Sequence, residues 1–285
     1  VKAVRLLCDR EALYQERIRF CIGLICGHLK STAYAEMIAW QLGVEPGDLA
    51  SINFRHKIPG ATAKQKGVEV RAKRDGSRVR SPELAENLFG TDYNLGLFQY
   101  KACDYCDDVV GETADISVGD AWLPEYIPDG QGTSLLITRN RQFQQLIDNA
   151  VSEGRVTVEP LSVDQVVASQ RGGFRQRREG LAYRLSEARR EGRWTPEKRV
   201  KASRWRLSRR RREIYSMRVR LWETSHELFR EAVHRNDFAY FRSEMGEMIQ
   251  DYAALYKLPW LRRIRRGLMR RVKRVKMILG RGIGQ

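Results

Sequence analysis

At 285 residues the chain is long enough for one large domain, or one domain with a helical appendage, around a substantial core. Its net charge of +17 is unevenly spread: residues 166–285 carry 33 Lys and Arg against 12 Asp and Glu, leaving 19 against 23 for residues 1–165. The back therefore stands at +21 and the front at −4, which argues against reading the whole chain as a nucleic-acid binder.

The five cysteines (Cys8, Cys21, Cys26, Cys103 and Cys106) are an odd number without a secretory signal before them. No apolar run approaches the ~20 residues of a membrane span. A reducing cytoplasm, with thiolates serving metal or redox chemistry, fits better than a disulfide framework. The chain opens on Val rather than Met and reads as a processed chain or a fragment.

Residues 1–16 set Val4, Leu7 and Leu13 among charges and predict the end of a helix. Residues 17–26 predict a strand that becomes fully apolar, as buried central strands do. Gly27 and His28 break it, Ser31 or Thr32 caps a helix running to about Leu42, and Gly43 stops that helix. This β-turn-α unit puts Cys26 at the carboxyl end of a buried strand, where ligands of open α/β sheets sit. Cys26 reads either as a ligand or as a small buried hydrophobe; Cys21, in mid-strand, reads as core.

Residues 51–57 predict a short strand running into a basic turn closed by Pro59 and Gly60. Arg55 and Lys57 there suit phosphate or carboxylate oxygens, or belong to a solvated turn. Residues 67–73 and 78–80 alternate and predict a hairpin around Asp75 and Gly76. Residues 82–97 predict a helix and a loop that deliver Cys103-x-x-Cys106, a spacing that aims two sulfurs at one metal or cluster.

Residues 114–120 alternate like a strand and break at Gly119 and Asp120. Gly132, Thr133 and Ser134 open a buried strand over 134–139; their N–H groups and hydroxyls suit a phosphate or flavin edge, or an ordinary turn. An amphipathic helix over 141–153, a strand over 155–159 and a connecting segment at 163–168 complete an α/β pattern, a mixed sheet flanked by helices.

From Gln170 the pattern is all-helical and basic. Gly172 and Gly173 mark the change, and residues 175–192 predict an Arg-rich helix. Pro196 restarts a helix, and 203–234 form a long segment with Trp205, Ile214, Met217, Leu221 and Leu228 inward. Residues 238–255 are amphipathic. Residues 260–279 set Leu261, Ile264, Leu268, Val272, Val275 and Leu279 on one face against Arg and Lys, the pattern of a helix on an anionic membrane surface, of a solvated tail, or of a helix docking on an acidic partner. The aromatics of the back half are spaced like core residues rather than stacking platforms, so nucleic acid is disfavoured as a partner. The organisation read from the sequence is an α/β domain over 1–165, a helical extension over 166–257 and a basic tail over 258–285.

Several ordered features carry a family resemblance. They are Ile-Gly-Leu-Ile-Cys-Gly-His at 22–28, Phe54-Arg55-His56-Lys57 followed by Gly60, and Lys101-x-Cys103-x-x-Cys106. Then come Ala114 to Trp122 with its Gly119-Asp120 turn, Gly132-Thr133-Ser134, and Gln170-x-x-x-Phe174-Arg175-x-Arg177-Arg178. From about residue 3 to about 200 the sequence resembles the coenzyme F420 hydrogenase/dehydrogenase beta-subunit family, which includes hydroxymethyl-chlorophyll reductases and bacterial homologues found near exopolysaccharide genes.

The resemblance implies an iron–sulfur flavoprotein: a [4Fe–4S] cluster exchanging single electrons with FAD, and the flavin exchanging a hydride with coenzyme F420 or another reducible small molecule. It implies Cys26, Cys103 and Cys106 as cluster ligands. A cubane takes four thiolates, and members of the family usually take one from a Gly-Thr-Pro-Cys segment upstream; Cys8 and Cys21 are the remaining thiols here. Arg55 and Lys57 would hold anionic flavin or substrate groups. Gly132, Thr133 and Ser134 would approach the flavin, and Asp115 and Asp120 would shape the turn or hydrogen-bond to it. An electron-donor protein and a peripheral position on the inner membrane face are the partners the charge-dense back half suggests. The alternative from another class is a zinc-stabilised accessory protein that docks enzymes of polysaccharide synthesis at the membrane.

Overall fold

The computed structural model describes residues 1–74 and 82–257, so the expected hairpin around Asp75 and Gly76 and the basic tail over 258–285 lie outside the described residues. Helices α1 (Lys2–Arg10) and α2 (Ala12–Arg17) replace the single helix end expected, split at an extended Glu11. Strand β1 (Ile22–Leu24) follows, then α3 (Thr32–Gln41), stopped by Gly43 at φ 77°.

The strand expected over 17–26 thus shortens to three residues and is not a buried central strand. It lies at the edge of its sheet, with Ile22 65% and Leu24 75% exposed. An apolar run alone does not distinguish a strand with two neighbours from one with a single neighbour.

Strands β2 (Leu49–His56), β3 (Gly67–Ala72) and β4 (Glu83–Leu84) form an antiparallel sheet in that order. The helix expected over 82–97 is absent. After β4 the chain makes only 3-10 turns at Ala85–Asn87 and Tyr93–Leu95, because Gly90 and Gly96 adopt left-handed φ values of 77° and 76°.

Strands β5 (Ile116–Asp120) and β6 (Ser134–Thr138) complete the first sheet, ordered β1-β5-β6, with β1 parallel and β6 antiparallel to β5. This is the mixed sheet the alternation predicts. Helix α4 (Arg141–Ser152) begins where the Asn140 side chain accepts the Gln142 N–H at 2.8 Å. Residues 155–159 alternate but pair with no strand among the described residues, and Val156 and Val158 are 44% and 50% exposed.

Helix α5 (Val163–Ser169) opens on a capping box between Ser162 and Gln165. Helix α6 (Arg171–Arg175), a π-helical turn (Gln176–Gly180) and α7 (Leu181–Arg190) run on without a break, so Gly172 and Gly173 lie inside a helix. Residues 191–208 are irregular where a helix was expected, and Trp205 is 79% exposed rather than inward. Helices α8 (Arg209–Arg235) and α9 (Phe238–Ala254) form an antiparallel pair around Asn236, at φ 51°. Ile214 and Leu221 are fully buried and Met217 and Leu228 pack against the core, as expected.

The main core is shared by front and back. Met37 and Ile38 of α3, Val68 and Val70 of β3, Leu97 and Phe98 of the loop, Leu221 and Phe229 of α8, and Phe241 and Met245 of α9 form one buried cluster. Phe98 sits at its centre with φ 58°, its ring 5.5 Å from Phe229 and 5.8 Å from Phe241. Ser225 Oγ accepts its N–H at 2.8 Å, which satisfies a buried donor that no strand could reach. The jump in charge near residue 165 therefore crosses a common apolar core. Among the described residues, no helix is long and apolar enough to cross a membrane.

β1 and the stretch that follows it press on β5 at two glycines. A Cβ on Gly23 would lie 2.8 Å from Ala114 Cβ, and one on Gly119 would lie 2.4 Å from Ile25 Cβ. Gly119→Ala should cost about 1–3 kcal/mol through overpacking, read as a lower urea midpoint. A wild-type midpoint would mean that Ile25 yields freely and that the close approach is not required.

Candidate functional site

Because β1 and β5 run parallel, their carboxyl ends coincide. Ile25 N–H still donates to Val118 O at 2.8 Å, after which Cys26 and Asp120 emerge at the same end of the sheet. The antiparallel register of β6 sets Ser134 opposite Asp120, carrying Gly132 and Thr133 to that end as well.

A cleft is built there between the two sheets. Arg55 Nη1 and Lys66 Nζ each lie 3.3 Å from one oxygen of Asp120. Lys66 also stands 4.9 Å from the centre of the Trp122 ring. Lys57 Nζ donates to the carbonyls of Gly130 and Gln131 at 2.8 and 2.7 Å, clamping the loop that precedes β6. That loop needs its glycines: Gly132 has φ 82°, and a Cβ on Gly130 would meet Ala61 O at 2.1 Å.

Six residues singled out in the sequence (Arg55, Lys57, Asp120, Gly132, Thr133 and Ser134) thus line one cleft, together with Lys66 and Trp122. Lys66 was missed because it lies just before β3 within an unremarkable basic stretch, while Trp122 closes the motif that contains Asp120. Burial pushes the Asp120 carboxyl up, but Lys66 and Arg55 outweigh it and hold the group below the usual carboxylate range. Three cations against one carboxylate leave an excess of positive charge suited to an anionic group.

Asp115 stands apart, at the other end of β5. It accepts the Cys21 N–H at 2.7 Å and an Asn140 N–H at 3.3 Å, and pairs with Arg5. It fastens α1 and the entry to β1 onto the sheet.

The second half of the site is sulfur. Cys26 is exposed and Cys103 and Cys106 are partly buried. Leu29 N–H donates to Cys103 Sγ at 3.3 Å; Arg177 donates to Cys106 Sγ at 3.4 Å and to Gly27 O at 2.6 Å. Burial pushes the Cys103 thiol up, the Leu29 N–H opposes that, and the nearby Cys26 raises it again. Cys8 and Cys21 are buried elsewhere: Cys8 Sγ lies 3.6 Å from Tyr14 O, and Cys21 is at the opposite end of β1. Neither joins the other three.

Tyr93 links the two halves. Its ring stacks on His28 at 4.1 Å, and its hydroxyl donates to His28 O at 2.5 Å. Its hydroxyl is pushed up to about 12, first by burial and then by Cys26 and Cys103, with Arg177 and Arg55 opposing. His28 is pushed down to about 2 by burial and then by Lys30, Arg218 and Arg177, so its ring is neutral. Lys30 is drawn down to about 7 by burial and Arg218, its ammonium lying 4.3 and 4.7 Å from the centres of the Tyr34 and Tyr93 rings.

A family model that describes the C terminus of the beta subunit of coenzyme F420 hydrogenase/dehydrogenase matches residues 1–164. The chain belongs to this family. The family is named for a subunit of hydrogenases and dehydrogenases. Among solved structures, the chain is similar to one from the F420-reducing [NiFe] hydrogenase complex of Methanosarcina barkeri, at 18% identity and a TM-score of 0.38. That similarity covers 65% of this chain and 58% of the other, less than two thirds of its length. No curated protein matches.

Three thiols lie together with N–H donors on two of the sulfurs, the environment of a soft metal or cluster. They do not converge on one ion: among the described residues, no group of three or more His, Cys, Asp or Glu is arranged to hold one. The described residues bring no fourth sulfur to the three. The cleft residues fit the anionic part of a flavin by charge and by their open backbone.

The Asp115 contacts carry a pH signature. Burial raises this carboxyl, but the Cys21 N–H, Asn140 and Arg5 outweigh it and hold it below the ordinary 3.8. A depressed carboxylate contributes stability that is complete above 3.8 and is lost as pH falls through its lower folded value. Asp115→Ala should therefore cost about 2–3 kcal/mol at pH 7, and the gap to wild type should narrow below pH 3.8 in urea melts. A gap independent of pH would remove the ionised contact as its cause.

Proposed function

We propose that the chain is an iron–sulfur flavoprotein oxidoreductase in which a [4Fe–4S] cluster and FAD pass electrons to or from coenzyme F420 or another reducible small molecule. The observation that carries this reading is the juxtaposition, at one end of the β1–β5 pair, of three cysteines and a basic cleft, with Tyr93 within electrostatic range of both. When bound, the cluster and flavin supply one-electron and hydride chemistry.

The roles of the chain's own residues follow from their surroundings. Cys26, Cys103 and Cys106 would hold iron, and Leu29 N–H would stabilise sulfur charge. Arg55 and Lys66, already turned on Asp120, would bind an anionic phosphate or substrate carboxylate. Lys57 would keep the Gly132–Thr133–Ser134 backbone open to the flavin by its grip on the carbonyls of Gly130 and Gln131. Tyr93 and neutral His28, stacked between cleft and sulfur, would exclude water.

An electron-donor protein is the implied partner. A groove lined by Lys2, Lys101, Tyr105, Trp194 and Lys198 opens directly onto Cys106, and Trp194 is 81% exposed there. Cations around an exposed aromatic suit an acidic partner surface.

Anaerobic purification with a visible spectrum and iron, sulfide, flavin and zinc analysis tests the reading. Flavin bands with iron and sulfide are expected, and Cys103→Ser should lose iron while keeping its far-UV spectrum. A colourless protein loaded with zinc would sink the reading and favour a structural metal. Lys57→Met should bind FAD about tenfold more weakly, a change of about 1.4 kcal/mol, in fluorescence titration. Equal affinity would take Lys57 out of the flavin site.

A further inference from the structure

The carboxylates at the two ends of β5 are held in different ways. Asp115 accepts a backbone N–H from Cys21 at 2.7 Å and so belongs to the framework. Asp120 has two side-chain partners among the described residues, the tips of Arg55 and Lys66, each at 3.3 Å. Charge-assisted bonds of full strength run at about 2.7–2.9 Å, so both contacts are slack. The Arg55 and Asp120 side chains are 65% and 36% exposed, and ion pairs that meet solvent to this degree contribute about 0–1 kcal/mol to stability.

The main chain of Asp120, by contrast, is fixed. It lies opposite Ser134 in the β5–β6 register, and its carbonyl accepts from Gln170 Nε2 at 2.8 Å. The side chain can therefore turn without moving the strand. Turning away would leave Arg55 and Lys66 free to hold another anion in the cleft they line, beside the hydroxyls of Thr133 and Ser134. Lys57 would stay engaged with the carbonyls of Gly130 and Gln131. A carboxylate held by two long cations, in a cleft with surplus positive charge, stands where a bound anion would.

We propose that Asp120 is the resident anion of this cleft and sets its specificity: an incoming group must displace the Asp120 carboxylate from Arg55 and Lys66, which a phosphorylated ligand can do and a monocarboxylate cannot. This rests on the reading of the cleft as an anion site, and it selects phosphate over the substrate carboxylate that the same cations could also hold. The physical reason is competition at matched charge. A carboxylate from solution would replace one that is already tethered in place, losing its free translation for no gain in charge. A phosphate monoester or a diphosphate carries more than one negative charge and several acceptor oxygens, so it can engage Arg55 and Lys66 together more strongly than Asp120 does. Asp120 thus excludes small organic acids from the cleft while it weakens the binding of phosphate.

The test uses the full chain freed of any flavin, with inorganic pyrophosphate and acetate as probes in isothermal titration calorimetry. Wild-type protein should bind pyrophosphate and give no heat of binding with acetate. Asp120→Asn, which keeps the shape and removes the charge, should bind pyrophosphate about tenfold more tightly and should bind acetate as well. Adding Arg55→Gln to Asp120→Asn should abolish most of that gain, which places it in the cleft. Far-UV circular dichroism checks that each variant folds, and Asp120→Ser replaces Asp120→Asn should the latter unfold. Unchanged or weaker pyrophosphate binding in the folded neutral variant would overturn the inference, and so would wild-type protein that binds acetate as tightly as pyrophosphate; in both cases the cleft remains an anion site. Pyrophosphate ignored by wild type and neutral variant alike would overturn the anion-site reading itself, and the inference with it.

Discussion

The parallel pairing of β1 with β5 is the constraint on which the rest depends. Hydrogen-bonded strands lie about 4.8 Å apart, and here the Ile25 side chain, just after β1, packs directly over Gly119, where no Cβ fits beside it. Parallel strands end at the same side, so this pairing brings Cys26 and Asp120 out together. The register of β6 then sets Ser134 across from Asp120. Arg55, at the end of the second sheet, reaches over to the same carboxylate. The cleft, with Cys26 emerging beside it, is thus assembled by two registers and the ion pairs of Asp120 with Arg55 and Lys66.

The basic back half is built into this arrangement rather than appended to it. Its apolar faces complete the core around Phe98, and its arginines neutralise the acids that surround the cysteines. Exposed pairs of this kind contribute little stability one by one. The buried pair of Arg184 with Asp104 differs, because Trp222 and Gln99 also donate to that carboxylate at 2.9 Å each. Breaking a network of that kind leaves an uncompensated charge inside, at a cost of about 3–5 kcal/mol. What these contacts achieve is placement: the loop of Cys103 and Cys106 is held against α7 and α8 from one side and against the Gly27 turn from the other.

Much of this was legible in the sequence. Alternation and short apolar runs gave β2, β3, β5 and β6, a cap and a glycine stop gave α3, helical periodicity gave α4, α8 and α9, and the ordered motifs gave the family and six of the residues that share the cleft. These signals are local or depend on fixed spacing, which is why they survive in one dimension. The misreadings share a cause. Residues 82–97 have helical composition, but Gly90 and Gly96 take left-handed φ values that only the fold selects. Residues 155–159 alternate like a strand but find no partner among the described residues, and Trp205 carries an apolar side chain that the fold leaves in solvent.

By itself the sequence determined which reactive groups the chain offers, among them thiols at Cys26, Cys103 and Cys106, cations at Arg55 and Lys57, and a carboxylate at Asp120. Only the tertiary structure decided which of them lie together. It sent Asp115 to the far end of β5 to fasten α1, added Lys66 and Trp122 to the cleft, and left Cys8 and Cys21 away from the other sulfurs. It also turned Arg177, one arginine among many in a basic segment, into a buried cation facing sulfur. The physical reason is that residue type fixes the charge and reactivity a group offers, whereas distance and desolvation fix what that charge is worth, and both arise only when remote segments pack.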